Sequence, residues 1–409
     1  MPVFAPSAHA AGTEPEPSGL AAGWLARTLA ENGDLALTPA GTTDYASTVY
    51  ALLGIRAAGV ASTQITASAD AMARSKEDFI GDPSQIDAKT TAIAFMILGL
   101  AAAEKDPSQF TGSDGTRDLY ADLRSAVADD GSISSMPSVY GQSFALLALF
   151  TSPDGAPDIA VEWLQAQRCT DESSPGFGGY GFSTGSCDDA DPDSTALAAL
   201  ALVATGGSSE ALEPAGTFLL ADQDPSGGFD SPFSGVNANT TGLAVAALTA
   251  IGSTSYVPAI SQARAYLESL SYGCDLASDT TTAPRVGAMA YDSTSRASNP
   301  TGSLTPQTTA TLFQATAQGM WGLIDQADIP PEFSQVSSKI PDWQSCPVAS
   351  PASSASVTSS PTSDITPSSA ATPADSSQPA PNWLWALGGF LVVILVYLGW
   401  RFLLSARRH

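Results

Sequence analysis

The sequence predicts an all-α protein: an α/α toroid of six helix pairs, followed by an extended stalk and one transmembrane helix. Three observations carry that prediction. An amphipathic segment and an apolar segment recur six times between residues 19 and 323, usually with a glycine-rich turn between them. The apolar segments are rich in Ala and Leu nearly all round, as helices buried on most sides must be. Near the C-terminus, 22 residues from Trp383 to Leu404 contain one charge, Arg401.

In chain order, each unit opens on an amphipathic helix with an aromatic residue, usually followed by an aliphatic one: Trp24-Leu25, Phe79-Ile80, Tyr120, Trp163-Leu164, Phe218-Leu219 and Tyr266-Leu267. Turns follow at 32–35, 130–133, 178–182, 227–229 and 287–291. The apolar helix then begins on polar residues, which align as Ala46-Ser47-Thr48, Lys89-Thr90-Thr91, Gln142-Ser143-Phe144, Asp193-Ser194-Thr195, Asn239-Thr240-Thr241 and Gln307-Thr308-Thr309. Helix pairs that cannot bury their own apolar faces stack into solenoids or close into rings. An open solenoid leaves the uniform inner helices, and their number, unexplained. The amphipathic helices, Trp163 among them, are therefore placed outside, with their aromatics packed between two layers.

The ends set the expected address. At about 1.5 Å per residue the segment 383–404 spans a bilayer core of about 30 Å. Its tryptophans sit towards the edges and arginines follow in 405–409, which predicts a single-pass protein of the cell membrane with the N-terminus outside and the C-terminus cytoplasmic. Residues 347–382, built of Ser, Pro, Thr and Ala, form the linker, and 11–346 the ectodomain. Residues 1–10 read as the remnant of an export signal. Ala8-His9-Ala10 resembles a cleavage site, but the basic start and apolar run of a signal peptide are missing, so Met1 is expected to lie inside a longer reading frame. Four exported cysteines allow three connectivities; Cys169–Cys187 and Cys274–Cys346 are the favoured disulfides.

Composition excludes much chemistry. With 16 Lys+Arg against 41 Asp+Glu the formal charge is −25, which repels nucleic acid. The two histidines, His9 and His409, lie at the ends, so His metal sites and His general bases are not expected in the core.

The repeat resembles the terpenoid-cyclase and prenyltransferase-repeat superfamily of α/α toroids. Gln223-Asp224-Pro225-Ser226-Gly227-Gly228-Phe229 looks like its Gln…Gly-Gly-aromatic turn, and Asp193-Ser194-Thr195-Ala196-Leu197-Ala198 is similar to helix starts of the cobalamin carriers, intrinsic factor and transcobalamin. That resemblance implies a corrinoid ligand, although residues 324–346 are too short for the carriers' β-rich second domain. Asp191-Pro192-Asp193-Ser194 also resembles the acidic motif of class II terpene cyclases with its last acid replaced. Such an acid needs an apolar pocket and aromatic walls, and few aromatics are expected on the inner helices. The zinc ligands of protein prenyltransferases and the thioester motif of complement are missing.

In a ring, the inner helices start at one mouth, where free N–H groups favour electron-rich ligands. The expected ligand-binding residues are Tyr140, Gln142, Tyr180, Asp191, Asp193, Asn237, Asn239 and Gln307; capping alone is the competing role of such polar starts. Phe177, Tyr180, Phe182, Phe229, Phe233 and Tyr291 form a possible aromatic platform. The functional expectation is a membrane-anchored extracellular ligand-binding protein without covalent chemistry, capturing cobalamin or another corrinoid for a membrane transporter. No cofactor and no metal are expected. The alternatives are a glycan-active or glycan-binding surface protein and a non-catalytic adhesin or spacer.

Overall fold

Polar residues start the inner helices by capping them. In the computed structural model, which describes residues 16–112, 115–184, 186–298, 304–324 and 336–346, Asp44 accepts from Ser47 N ahead of α2 (Tyr45–Ala57), and Ser138 from Gly141 N ahead of α6 (Val139–Phe150). Asp191 caps α8 (Pro192–Ala204), Asn237 caps α10 (Ala238–Ile251) and Thr305 caps α12 (Pro306–Gly319). The inner helix α4 (Ile86–Ala102) follows a 3-10 turn over Pro83–Gln85, closed by a capping box from Asp82 and Gln85. These side chains satisfy N–H groups that have no partner within the helix. The outer helices are α1 (Pro17–Glu31), α3 (Ser62–Arg74), α5 (Leu119–Ser125), α7 (Asp158–Ala166), α9 (Ser209–Ala221) and α11 (Val257–Leu270).

The inner helices pack in the order α2, α4, α6, α8, α10, α12, and α12 returns to α2, so the ring is closed. Ala196 to Leu202 on α8 are all buried, which accounts for the Ala/Leu composition. Closure uses the same joint as three of the other repeats. Turn glycines Gly131, Gly178, Gly227 and Gly287 have φ of 88°, 86°, 93° and 96°. A Cβ on them would lie 2.1 to 2.5 Å from the carbonyl oxygens of Ile159, Pro214, Gln262 and Leu20, on α7, α9, α11 and α1. Gly287 of the last repeat thus sits on the first helix. Trp24 Nε1 donates to Pro284 O and Trp321 Nε1 to Tyr50 O across the same seam.

A second joint fixes each turn to its inner helix. Oxygens of Thr48, Gln142, Thr195, Thr241 and Thr316 accept from the backbone N–H of Ala36, Ile133, Tyr180, Phe229 and Met289, at 2.8 to 3.0 Å. Short hairpins fill two of these turns. β1 (Tyr180–Gly181) pairs antiparallel with β2 (Ala190–Asp191), and β3 (Phe229–Ser231) with β4 (Gly235–Asn237). Each ends on the cap of the next inner helix.

Both expected disulfides are present, Cys169–Cys187 and Cys274–Cys346. The second fastens a strap, 336–346, which crosses the seam. Ser337 N donates to Gly59 O, Ala61 N to Lys339 O, Ser62 N to Ser337 O, and Arg27 to Pro341 O. The expected linker 347–382 and membrane helix 383–404 lie outside the described residues. Within them, Pro83–Ala102 is long and apolar enough to cross a membrane, but it contains the inner helix α4 of the ring.

Two outer-layer expectations are corrected. Phe79 is not on the second outer helix, whose buried face is Ile65, Ala69 and Met72; it follows that helix and stacks on Tyr45 at 3.9 Å. Trp163 is only half-buried, whereas its neighbour Leu164 is fully buried. Leu164→Ala is therefore expected to cost about 3 kcal/mol by chemical denaturation and Trp163→Ala clearly less. The reverse order would place Trp163 at the layer contact after all.

Candidate functional site at the ring mouth

Counting from the caps shows which residues share the mouth. Tyr140, Asp193 and Asn239 each lie two residues after a cap (Ser138, Asp191, Asn237) on the neighbouring helices α6, α8 and α10. Tyr140, not Gln142, is therefore the counterpart of Asp193. The aligned polar triplet misled because Gln142 replaces the threonine that pins the turn in other repeats. Its amide is buried, accepting from Ile133 N and donating to the carbonyls of Gly131 and Ala160, at 2.8 to 3.0 Å. With every strong bond made inside the ring, Gln142 is not a ligand group.

Three more expected residues are placed elsewhere. Asn237 is 1% exposed; its Oδ1 caps Thr240 N and its Nδ2 donates to Ser234 Oγ, Gly235 O and Thr240 Oγ1. Tyr180 is fully buried, and the charge acting on its hydroxyl is Arg168, beyond the end of outer helix α7. Helix α12 starts further ahead of its turn-pinning residue than the other inner helices do, so its register is counted from Thr316 rather than from the Thr305 cap, and Gln314 matches Asp193 in the ring. Gln307 is exposed about two turns before it. Of the platform, Phe229 is fully buried, Phe177 and Phe233 are exposed, and Phe182 meets Tyr140 with ring centroids 6.0 Å apart.

Asp191, Asp193 and Asn239 remain. Asp191 is 4% exposed; its Oδ1 accepts from Ser194 N, and its buried Oδ2 has no hydrogen-bond partner. Asp193 Oδ1 and Asn239 Oδ1 are likewise buried and unpartnered. An unmatched buried acceptor costs about 1–3 kcal/mol, so three around one mouth are a notable expense. Burial foremost, then the Asp191 charge, pushes the Asp193 carboxyl up to about 7, although the Thr240 hydroxyl opposes the shift. Burial also raises Asp191.

The walls are more aromatic than expected. Phe144 on α6 meets Tyr140 at 4.9 Å, Phe95 on α4 at 4.7 Å and Tyr50 on α2 at 5.7 Å between ring centroids. Burial raises Tyr140 to about 12 and also raises Tyr50 and Tyr291, with the Asp193 charge adding to each. Tyr50 and Phe95 were not singled out from the sequence, because they read as core residues of apolar runs, and Phe144 entered only as the third position of a polar helix start. An open depression of about 550 Å³, lined by Leu212, Glu213, Thr217 and Tyr256, lies at the opposite ends of the helices and has none of the unpartnered acceptors.

No protein-family model matches the sequence, and neither does any curated relative. Solved structures similar to the chain include a protein from Actinoplanes, at 17% identity over 74% of this chain and 99% of that one, with a TM-score of 0.46. Protein geranylgeranyltransferase-I of Candida albicans, complexed with GGPP, is 11% identical over 74% and 91%, with a TM-score of 0.45. ent-Copalyl diphosphate synthase from Streptomyces platensis is 16% identical over 74% of this chain, which spans 50% of the synthase, with a TM-score of 0.37. The last two are α/α toroids of the prenyltransferase and terpenoid-cyclase type, the superfamily that the repeat motifs resemble. Both are enzymes by name, in contrast to the expectation of a chain without covalent chemistry.

Proposed function

We propose that the ring seats a small molecule at its mouth, through Asp193 and Asn239, on an aromatic floor of Tyr140 and its neighbours. One observation carries this reading: the Oδ1 atoms of Asp193 and Asn239 are buried without partners at the same position of adjacent inner helices. A molecule presenting N–H or O–H donors would satisfy both. Segments 347–382 and 383–404, with the basic tail 405–409, would hold the ring at the outer face of a cell membrane, where a transporter could take over the captured ligand. A corrinoid as that ligand rests on the likeness of Asp193–Ala198 to cobalamin-carrier helix starts.

A second reading, proton donation to the bound molecule, is favoured by the Asp193 carboxyl, which titrates at about 7 beside aromatic faces. Both readings use the same residues. Screening the full-length chain against cobalamin, oligosaccharides and polyprenyl alcohols is expected to find a ligand whose affinity falls about tenfold in Asn239→Ala and in Asp193→Ala, but not in Gln307→Ala. An unchanged affinity in both mouth variants removes the mouth as the site.

A further inference from the structure

The charges around the mouth narrow the ligand further, given the reading that the mouth is the binding site. Within the described residues, the groups acting on Asp193, Asp191, Tyr140, Tyr50 and Tyr291 are carboxyls, tyrosines and hydroxyl or backbone groups. No lysine or arginine is among them. Asp193 faces Asp191 at its own helix start, the Thr240 hydroxyl from α10, Tyr140 from α6, Tyr50 from α2 and Tyr291 from the last turn. Asp44 acts on both Tyr50 and Tyr140. Asp222, raised to about 6 by burial and then by Asp230 and Asp191, adds charge from the end of α9. Lys89, the one basic residue at an inner-helix start, donates instead to Asp78 O on the exposed side at 3.4 Å.

An anion would enter this mouth against the carboxyls that act on Asp193 and on the tyrosines around it. A neutral molecule would leave the carboxylates repelling one another. A cation meets carboxylate oxygens without partners, among them Asp191 Oδ2 at 4% exposure, together with the ring faces of Tyr140 and Phe182, which attract positive charge. We infer that the mouth selects an organic ammonium with an apolar or aromatic body, its N–H groups directed to Asp193 and Asn239. Binding then ionises Asp193, and the displaced proton passes to the buffer. Affinity consequently rises with pH between 6 and 8.

Three ring compounds of one shape test this on the full-length chain: benzylammonium, benzyl alcohol and benzoate, each at millimolar concentration by calorimetry in two buffers of different ionisation enthalpy. Benzylammonium is expected to bind at least tenfold more tightly than benzyl alcohol, with no heat from benzoate. It should release protons at pH 6 and bind several-fold more tightly at pH 8. Asp193→Asn should cut its affinity at least tenfold and abolish proton release. The inference is overturned if benzyl alcohol matches the ammonium, if affinity falls with rising pH, or if benzylammonium fails to bind. A neutral ligand from the wider screen that depends on Asp193 and Asn239 would leave the mouth as the site while overturning its cation selectivity.

Discussion

Alanine at Gly287 is expected to destabilise the ring by about 4 kcal/mol, more than the same change at Gly33. Both glycines have positive φ, 96° and 75°, where an L side chain costs about 1–3 kcal/mol. Around Gly33 nothing lies within 4 Å of the added Cβ. At Gly287 that atom would fall 2.1 Å from Leu20 O and 2.9 Å from Trp24 Cβ. Leu20 O belongs to the backbone of α1, so no rotamer change relieves the clash, and the first helix must lift from the last turn. Trp24, whose Nε1 donates to Pro284 O, would move with it. The strain term cancels when the two variants are compared by chemical denaturation, leaving the cost of the seam. Equal losses in Gly287→Ala and Gly33→Ala would mean that this contact does not hold the ring closed.

That seam illustrates what could be read in advance. Six recurrences of an apolar helix, five of them after a glycine turn, make a ring legible, because burial and turn chemistry leave their mark on residue type. The polar starts were ambiguous for the opposite reason. Capping, pinning a turn and facing a ligand all call for Asn, Asp, Gln, Ser or Thr, so residue type does not separate the three roles. Gln142 proves to pin a turn, Asn237 to cap a helix, and Asp193 to face the mouth, although they looked alike. The caps supply the missing register: aligning Ser138 with Asp191 and Asn237 brings Tyr140 beside Asp193. The acid's environment was hidden further, since Tyr50, Phe95 and Phe144 come from three helices and converge only when the ring closes. Trp163 was misplaced because helical periodicity locates a buried stripe but does not say which of two adjacent apolar residues lies at its centre.

Asp193→Asn is expected to stabilise the protein at pH 8 while impairing its mouth. In the folded chain the carboxyl titrates at about 7, against about 3.9 when unfolded. Below about pH 4 it is neutral in both states and contributes no pH-dependent cost. Between about 4 and 7 the unfolded chain has released this proton and the folded chain retains it, so stability falls as pH rises. Above 7 the folded state holds a buried, unmatched charge, and the accumulated loss reaches up to roughly 4 kcal/mol. Asparagine keeps the shape without the charge. The variant should match the parent near pH 4 and exceed its melting temperature increasingly towards pH 8, with the residual slope owed to Asp191 and Asp222. Asp191→Ala, which removes a cap, should instead lose about 1 kcal/mol even at low pH. A gain in stability paired with a loss of ligand affinity is what a strained functional group gives on removal. If Asp193→Asn melts lower than the parent at pH 8, Asp193 is a structural residue, and its unpartnered oxygen has no bearing on binding.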